Sequence, residues 1–263
     1  MRTIKEIRRL LSDTSYRAEM QSCIAEGKKI VADFLRHPQS VAYCVIDSGR
    51  YSSDDQLKDI LKRVYEQEIP VSFVESKTLM RMSTLKTNQG ILAEIRIPRH
   101  DLALVLKNEQ LLLVVGDAIQ DPSNVGALVR NALAFNSQAV IFTSGSADVY
   151  APKGLRAASG SVLDIPIFYM TCDDLMELKK KSVYFMAASL DGARAIKSIT
   201  SIPSHTAVVF GNEGSGVNQF LIRRSDTTFY IPINERINSL NITSAAAVAL
   251  YHIESLRYTA PPQ

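Results

Sequence analysis

The stretch LLLVVGDAIQDPSNVGALVRNALAF, residues 111–135, places a continuous apolar strand before a helix. An uninterrupted apolar strand is typical of a parallel sheet buried on both faces. Similar strand patterns follow at AVIFT (139–143), DIPIF (164–168), VYFMAAS (183–189), AVVFG (207–211) and TFYIPI (228–233). Helical patterns lie between or after them, at DDLMELKKK (173–181) and ITSAAAVALYHIESLRY (242–258). This part of the chain is predicted to be α/β, with a mainly parallel sheet covered by helices.

The first third of the chain alternates helices and short strands. Helical periodicity marks IKEIRRLL (4–11), KKIVADFL (28–35), DDQLKDILKRVYEQ (54–67) and SKTLMRMS (76–83). Compact apolar runs mark strands at CIAEG (23–27), VAYCVI (41–46), VSFV (71–74) and ILAEIRI (91–97). A small α/β domain is therefore predicted over residues 1–97. Pro98 and weak periodicity mark residues 98–109 as a linker, which leaves residues 110–263 for the second domain.

Composition excludes several classes of protein. No apolar run in the 263 residues approaches the roughly 20 that a membrane helix needs, and the N-terminus lacks the pattern of a secretory signal. A cytoplasmic protein without a membrane partner is therefore expected. Cys23, Cys44 and Cys172 show no metal-binding spacing, so reduced structural thiols and no metal site are expected. The net charge of +3 does not by itself indicate a nucleic-acid binder.

Basic residues nevertheless cluster near the N-terminus. They are Arg2, Lys5, Arg8, Arg9, Arg17, Lys28, Lys29 and Arg36. The cluster is consistent either with a phosphate-binding face or with a solvated helix surface.

Three loops that follow predicted strands carry unusual residues, and ligands bind at the carboxyl ends of the strands in such sheets. In the first loop, Ser123 or Asn124 is predicted to cap a helix beginning at Val125. Arg130 lies off the apolar stripe of this helix, between the small residues Ala127 and Ala134. It is either a ligand contact or a plain surface arginine.

The second and third loops are equally distinctive. The glycine-rich loop GNEGSG (211–216) permits close backbone approach to a ligand, but it matches neither a dinucleotide fingerprint nor a P-loop. In the third loop Ser239 is predicted to cap a helix that Leu240 and Asn241 open. Alanines in this helix allow close packing, within the domain or across a dimer.

Taken together and in order, DPSNVGALVRNALAF, FGNEGSG and IPINERINSLNITSAAAVAL resemble the three motifs of the SpoU RNA 2′-O-methyltransferases in the SPOUT superfamily. The resemblance covers residues 111 to about 256, including RAASGSVLDIPIF (156–168) between the motifs. It implies a domain tied in a trefoil knot, with S-adenosyl-L-methionine as the cofactor. It also implies that the protein is an enzyme and forms a homodimer through the catalytic domain.

The resemblance also implies roles for individual residues. The catalytic positions it matches are Asn124, Arg130, Glu213, Ser239 and Asn241. The cofactor-binding positions are Gly211, Asn212, Gly216, Ile231 and Leu240. An arginine keeps its proton in proteins. The resemblance leaves two roles open for Arg130, the catalytic base that is often proposed in this family and an electrostatic stabiliser. Because of its proton, we prefer a role in orienting the substrate and stabilising developing negative charge, with Glu213, Asn124 and Asn241 fixing its position.

The N-terminal part resembles the small RNA-binding domain of many SpoU enzymes, with KTNQGILAEI (86–95) similar to the segment that ends that domain. Related enzymes frequently carry His before the Gln-Gly pair, where this chain has Asn88. A separate N-terminal domain favours ribosomal RNA over transfer RNA as the substrate. The alternatives are a transfer-RNA methyltransferase, an inactive RNA-binding relative, and a nucleotide enzyme, which would need a phosphate-binding glycine loop after its first strand.

Overall fold

The structure is a computed structural model that describes residues 2–85, 87–190 and 193–258. The helices are α1 (Ile4–Ser12), α2 (Thr14–Met20), α3 (Lys28–Phe34), α4 (Asp55–Glu66), α5 (Ser76–Met82), α6 (Leu102–Val105), α7 (Pro122–Ala134), α8 (Pro152–Ala158), α9 (Cys172–Lys180), α10 (Gln219–Arg224) and α11 (Ile242–Tyr258). The strands are β1 (Ser22–Glu26), β2 (Val41–Asp47), β3 (Val71–Val74), β4 (Ile91–Arg96), β5 (Leu111–Gly116), β6 (Ala139–Thr143), β7 (Ile167–Met170), β8 (Tyr184–Ala188), β9 (Arg194–Ala195), β10 (His205–Phe210) and β11 (Thr227–Tyr230).

The chain divides into two compact units. The described residues up to Arg99, together with Asp148–Leu163, form the first, and His100–Ala147 with the described residues from Asp164 onward form the second. The predicted ranges 1–97, 98–109 and 110–263 differ from this division, because 148–163 lies with the first unit and the predicted linker contains α6. Lys86, which begins the segment 86–95, and residues 259–263 lie outside the described residues.

Residues 148–163 belong to the first unit for a physical reason. Arg17 Nε donates to Asp148 Oδ2 at 2.7 Å, and the side chain of Arg17 is only 3% exposed. The same guanidinium donates to the carbonyl oxygen of Leu10. Through Arg17, the first residue of the segment is thus joined to α2, which carries Arg17, and to α1, which carries Leu10.

The first unit is a small α/β layer, as predicted. Its four strands lie in the order β1-β4-β2-β3, with β4 antiparallel to β1 and β2 and with β3 parallel to β2. The apolar side of α1, at Ile7, Leu10 and Leu11, is buried against this sheet and α5. This is the side that helical periodicity predicts. Cys23 and Cys44 are buried free thiols, and burial raises the pKa of Cys44 to about 12, so it stays protonated.

The second unit is a seven-stranded parallel sheet in the order β7-β6-β5-β10-β8-β11-β9. Every residue of β5 is buried, as its apolar sequence predicts. The predicted α/β class with a mainly parallel sheet is therefore confirmed. Because β10 lies directly beside β5, with Phe210 opposite Gly116, the loops after these two strands begin side by side.

The two predicted helix starts beside the candidate site are wrong. Helix α7 begins at Pro122 rather than Val125, because Asp121 caps it by accepting from the Ser123 amide at 2.8 Å, and proline suits the first turn. Helix α11 begins at Ile242, and Ser239 does not cap it. Asn241 Oδ1 accepts instead from the Thr243 amide at 2.9 Å.

Candidate active site

The carboxyl ends of β5, β6 and β10 are joined by one buried carboxylate. Asp117 is 3% exposed and follows β5 directly. Its Oδ1 accepts from Thr143 Oγ1 at 2.6 Å, and its Oδ2 accepts from the Asn218 amide at 2.7 Å. Its own amide donates to the carbonyl oxygen of Phe210 at 2.8 Å. Sequence reasoning gave Asp117 no role, although an acidic residue directly after a fully buried strand is the signal that points to it.

The glycine-rich loop after β10 is a closed turn. The Asn212 amide donates to the Gly216 carbonyl at 3.0 Å, and the Gly216 amide donates back to the Asn212 carbonyl at 2.9 Å. Gly216 has a φ of +69°, a left-handed conformation that favours glycine. A Cβ atom on Gly211 would lie 2.0 Å from the backbone of Gly216 and Val217. Glycine is therefore required at position 211 for this close approach to the backbone of the same turn.

Asn212 ties this turn to the first loop. Its Nδ2 donates to the carbonyl oxygen of Ala118 at 2.9 Å, and its Oδ1 accepts from the Gly214 amide at 2.8 Å. Asn124, in the first turn of α7, donates through Nδ2 to Oε1 of Glu213. The structure thus brings Asn212, Glu213 and Asn124 together at one edge of the sheet, where the predicted loops meet.

The helix that follows the third loop contacts α7. Asn131 on α7 donates through Nδ2 to the carbonyl oxygen of Thr243 at 2.8 Å, which holds the start of α11 against α7. Asn241 is exposed and caps α11. Ile231 and Leu240 are half-buried in this loop. The hydrogen bond from Asn131 therefore places the start of α11 beside the helix that carries Arg130.

Arg130 and Ser239 are exposed. Within the described part of the chain, no hydrogen bond or ion pair joins either of them to the other predicted polar residues. The guanidinium of Arg130 presents its donors to solvent. An arginine in this position can hold an anionic phosphate or stabilise negative charge on an oxygen.

The site residues do not resemble a metal centre. Across residues 2–85, 87–190 and 193–258, no group of three His, Cys, Asp or Glu side chains is placed to hold a metal ion. Burial raises the pKa of Cys172, and nearby carboxylates, among them Asp117, raise it further, so this thiol is not an activated nucleophile.

Over the same described ranges, no helix combines the length and apolar character needed to cross a membrane.

The comparisons with known proteins agree with this geometry. The chain is 30% identical over 239 residues to the 23S rRNA (guanosine(2553)-2′-O)-methyltransferase RlmP of Bacillus subtilis, and the match covers 90% of each chain. It is 28% identical over 229 residues to the 23S rRNA (guanosine-2′-O-)-methyltransferase RlmB of Nitrosomonas europaea, covering 84% and 86%. The SpoU methyltransferase AviRb from Streptomyces viridochromogenes, solved in complex with AdoMet, has the same fold, with a TM-score of 0.82, 21% identity and 98% coverage of both chains.

Two family models divide the chain between them. The model of the RNA 2′-O ribose methyltransferase substrate-binding domain matches residues 24–100. The model of the SpoU rRNA methylase family matches residues 111–251, which hold all three loops and every predicted site residue. The chain therefore belongs to the SpoU rRNA methylase family.

Proposed function

We propose that this protein transfers a methyl group from S-adenosyl-L-methionine to a ribose 2′-hydroxyl of ribosomal RNA. The observation that carries the proposal is the meeting of the first two motif loops, through Asn124 with Glu213 and Asn212 with Ala118. Membership of the SpoU family supports the reaction class. The ribosomal substrate is supported by relatives whose names state 23S rRNA and that match most of the chain.

The residues present fit this cofactor. The glycine-rich turn keeps its backbone bare of a side chain at Gly216, which is exposed. Backbone amides and carbonyls are suited to the polar edge of an adenine. Half-buried Ile231 and Leu240 offer apolar contact to the rest of the molecule. Gly211, Asn212, Gly216, Ile231 and Leu240 would therefore hold the cofactor, which supplies an electrophilic methyl on its sulfonium sulfur.

The catalytic task of the chain is positioning. A ribose hydroxyl is a poor acid, so holding it in line with the methyl group and stabilising charge on its oxygen supply much of the rate. We assign this to the exposed guanidinium of Arg130. Glu213 and Asn124, which are hydrogen bonded to each other, fix the loops around it, and Asn241 fixes the start of α11. Ser239 is assigned a contact with substrate.

The first unit is proposed to bind the RNA. The substrate-binding domain model matches residues 24–100 there, within the predicted domain 1–97 and the start of the predicted linker 98–109. The 2′-hydroxyl distinguishes RNA from DNA, so a ribose target requires an RNA substrate. A ribosomal RNA substrate implies a cytoplasmic location, because bacterial ribosomes assemble there.

The knot and the homodimer are also proposed for the domain 110–263. The fold shared with solved SpoU methyltransferases supports the trefoil knot. Val248 and Tyr251 lie three residues apart on one face of α11 and are 46% and 68% exposed. An exposed apolar pair on a helix that already packs against α7 supports a homodimer that forms through this helix.

Incubation with tritiated S-adenosylmethionine and unmodified ribosomal or transfer RNA tests the function. Label is expected in ribosomal RNA and is expected to be lost in Arg130→Ala. Arg130→Lys keeps the positive charge but lacks the planar set of guanidinium N–H donors, so it should retain little methyl-transfer activity. Label only in transfer RNA would favour the transfer-RNA alternative. Cofactor binding without methyl transfer to either RNA would favour the inactive relative. Transfer that survives Arg130→Ala would remove Arg130 from its assigned role.

A further inference from the structure

An exposed aromatic pair lies on the first unit. Tyr51 belongs to the loop between β2 and α4, in which all six residues 48–53 are exposed, and we call this the Tyr51 loop. Its ring lies against that of Phe73 on the edge strand β3, with ring centroids 5.4 Å apart and planes tilted by 57°. Tyr51 is 36% exposed and Phe73 is 42% exposed. Two large rings are therefore held together in contact with water instead of in the core.

A buried carboxylate holds the Tyr51 loop in place through hydrogen bonds. Asp47, 4% exposed, accepts from the Gly49 amide at 3.0 Å and from Ser76 Oγ at 2.7 Å through Oδ1. The Ser48 amide donates to the Val74 carbonyl at 2.9 Å. The loop thus has a defined conformation before any ligand arrives. Preorganisation lowers the entropic cost of binding.

The charges beside the loop favour an anionic chain. Two carboxylates follow it, but each pairs with a lysine, Asp54 with Lys28 at 2.9 Å and Asp55 with Lys58 at 2.7 Å. Arg50 precedes Tyr51, is exposed, and uses one donor for the carbonyl oxygen of Asn88. Since a guanidinium has five donors, others remain for a phosphate.

We propose that the Tyr51 loop binds an unpaired nucleotide of the RNA substrate. The base stacks on the ring of Tyr51, which Phe73 supports, and Arg50 contacts the neighbouring phosphate. Proteins recognise single-stranded RNA through splayed bases stacked on aromatic side chains, with cations tracking the backbone. This inference rests on the proposed function in one respect, namely that RNA is the substrate.

Affinity for unmodified ribosomal RNA, measured by filter binding with full-length variants, tests this. Tyr51→Ala is expected to weaken binding by about 5- to 150-fold, the range for one stacked base. Tyr51→Phe keeps the ring and should stay within about twofold of wild type. Tyr51→Leu keeps an apolar side chain against Phe73 but removes the aromatic ring. Its affinity for RNA should therefore be as low as that of Tyr51→Ala, while its melting temperature should equal that of wild type. Arg50→Gln should make binding less sensitive to salt.

Tyr65→Ala is the matched control, because Tyr65 is 57% exposed on α4 of the same unit and lies outside the pair. It should bind RNA like wild type, and all variants should bind S-adenosylmethionine equally well by calorimetry. RNA binding by Tyr51→Ala and Tyr51→Leu that equals that of Tyr65→Ala would overturn the inference and leave the proposed function standing. A wild-type protein that binds no RNA would overturn both.

Discussion

Gly211 provides a sharp test of how tightly the glycine-rich turn is built. A Cβ atom at this position would lie 2.0 Å from the Gly216 carbonyl carbon and the Val217 nitrogen, and 2.3 Å from the Gly216 oxygen. Heavy atoms make favourable contact at about 3.5 to 4.0 Å, so Gly211→Ala forces backbone apart by roughly 1.5 Å. Overpacking of this kind costs about 1 to 3 kcal/mol or more. The proposed cofactor turn must distort, and affinity for S-adenosylmethionine should fall at least about tenfold.

Two glycines in the same turn serve as graded controls. A Cβ on Gly214 would meet its nearest heavy atom, Asn212 Oδ1, at 3.5 Å, so Gly214→Ala should bind cofactor within about twofold of wild type. A Cβ on Gly216 would meet no heavy atom within 4 Å, but Gly216 has a φ of +69°, which side chains disfavour. Gly216→Ala should therefore lower the free energy of unfolding by about 1 to 2 kcal/mol. Calorimetric titration with S-adenosylmethionine, together with thermal unfolding, measures the series. Cofactor affinity in Gly211→Ala equal to that in Gly214→Ala would refute the reasoning.

Three further predictions concern groups away from the turn. Asp117→Leu removes the acceptor of two donors, the Thr143 hydroxyl and the Asn218 amide, so the free energy of unfolding should fall by about 2 to 6 kcal/mol in urea titrations. A loss below about 1 kcal/mol would contradict the two hydrogen bonds. Arg17→Met leaves the carboxylate of Asp148, whose side chain is 11% exposed, without its ion pair, which should lower the free energy of unfolding by about 3 to 5 kcal/mol. Adding Asp148→Asn removes the charge and keeps an acceptor for the Tyr150 amide, so it should recover much of the loss; a double variant no more stable than the single one would contradict the pair. Burial lowers the pKa of His100 in the folded protein, because the buried imidazole resists protonation. The stability that His100 contributes is therefore complete above about pH 6.5, its pKa in the unfolded chain, and is lost as the pH falls through the lower pKa of the folded state. His100→Phe should therefore flatten the pH dependence of the melting temperature below pH 6.5, and an unchanged slope would exclude His100 as its source.

Much of the fold could be predicted from local patterns. The period of apolar residues located β5, β10 and the body of α11, although the cap predicted for α11 at Ser239 is wrong. The start of α7 was mistaken because Asp121, Ser123 and Asn124 are all good caps, and only the hydrogen bond to Asp121 decides between them.

Pairings over long sequence distances could not be predicted. Nothing local indicates that β10 lies between β5 and β8. Asp117 receives hydrogen bonds from residues 26 and 101 positions away. Arg17 and Asp148 are separated by 131 positions, so no local pattern predicts that residues 148–163 belong to the first unit.

The site was predicted through three spaced motifs and not through any single residue. Glu213 or Asn124 alone has the properties of an ordinary loop or helix-end residue. The order of the motifs predicted that their loops belong to one site, and the hydrogen bond between these two side chains is consistent with that prediction. The roles of Arg130 and Ser239 stay predictions, because they depend on ligands.

The destination of the methyl group tests the central claim most directly. Ribosomal RNA methylated by the purified protein with tritiated S-adenosylmethionine would be hydrolysed in alkali and its products separated. A methylated 2′-hydroxyl cannot assist cleavage of the neighbouring phosphodiester, so label is predicted in an alkali-resistant dinucleotide. Label recovered only in mononucleotides would place the methyl on a base and contradict the account.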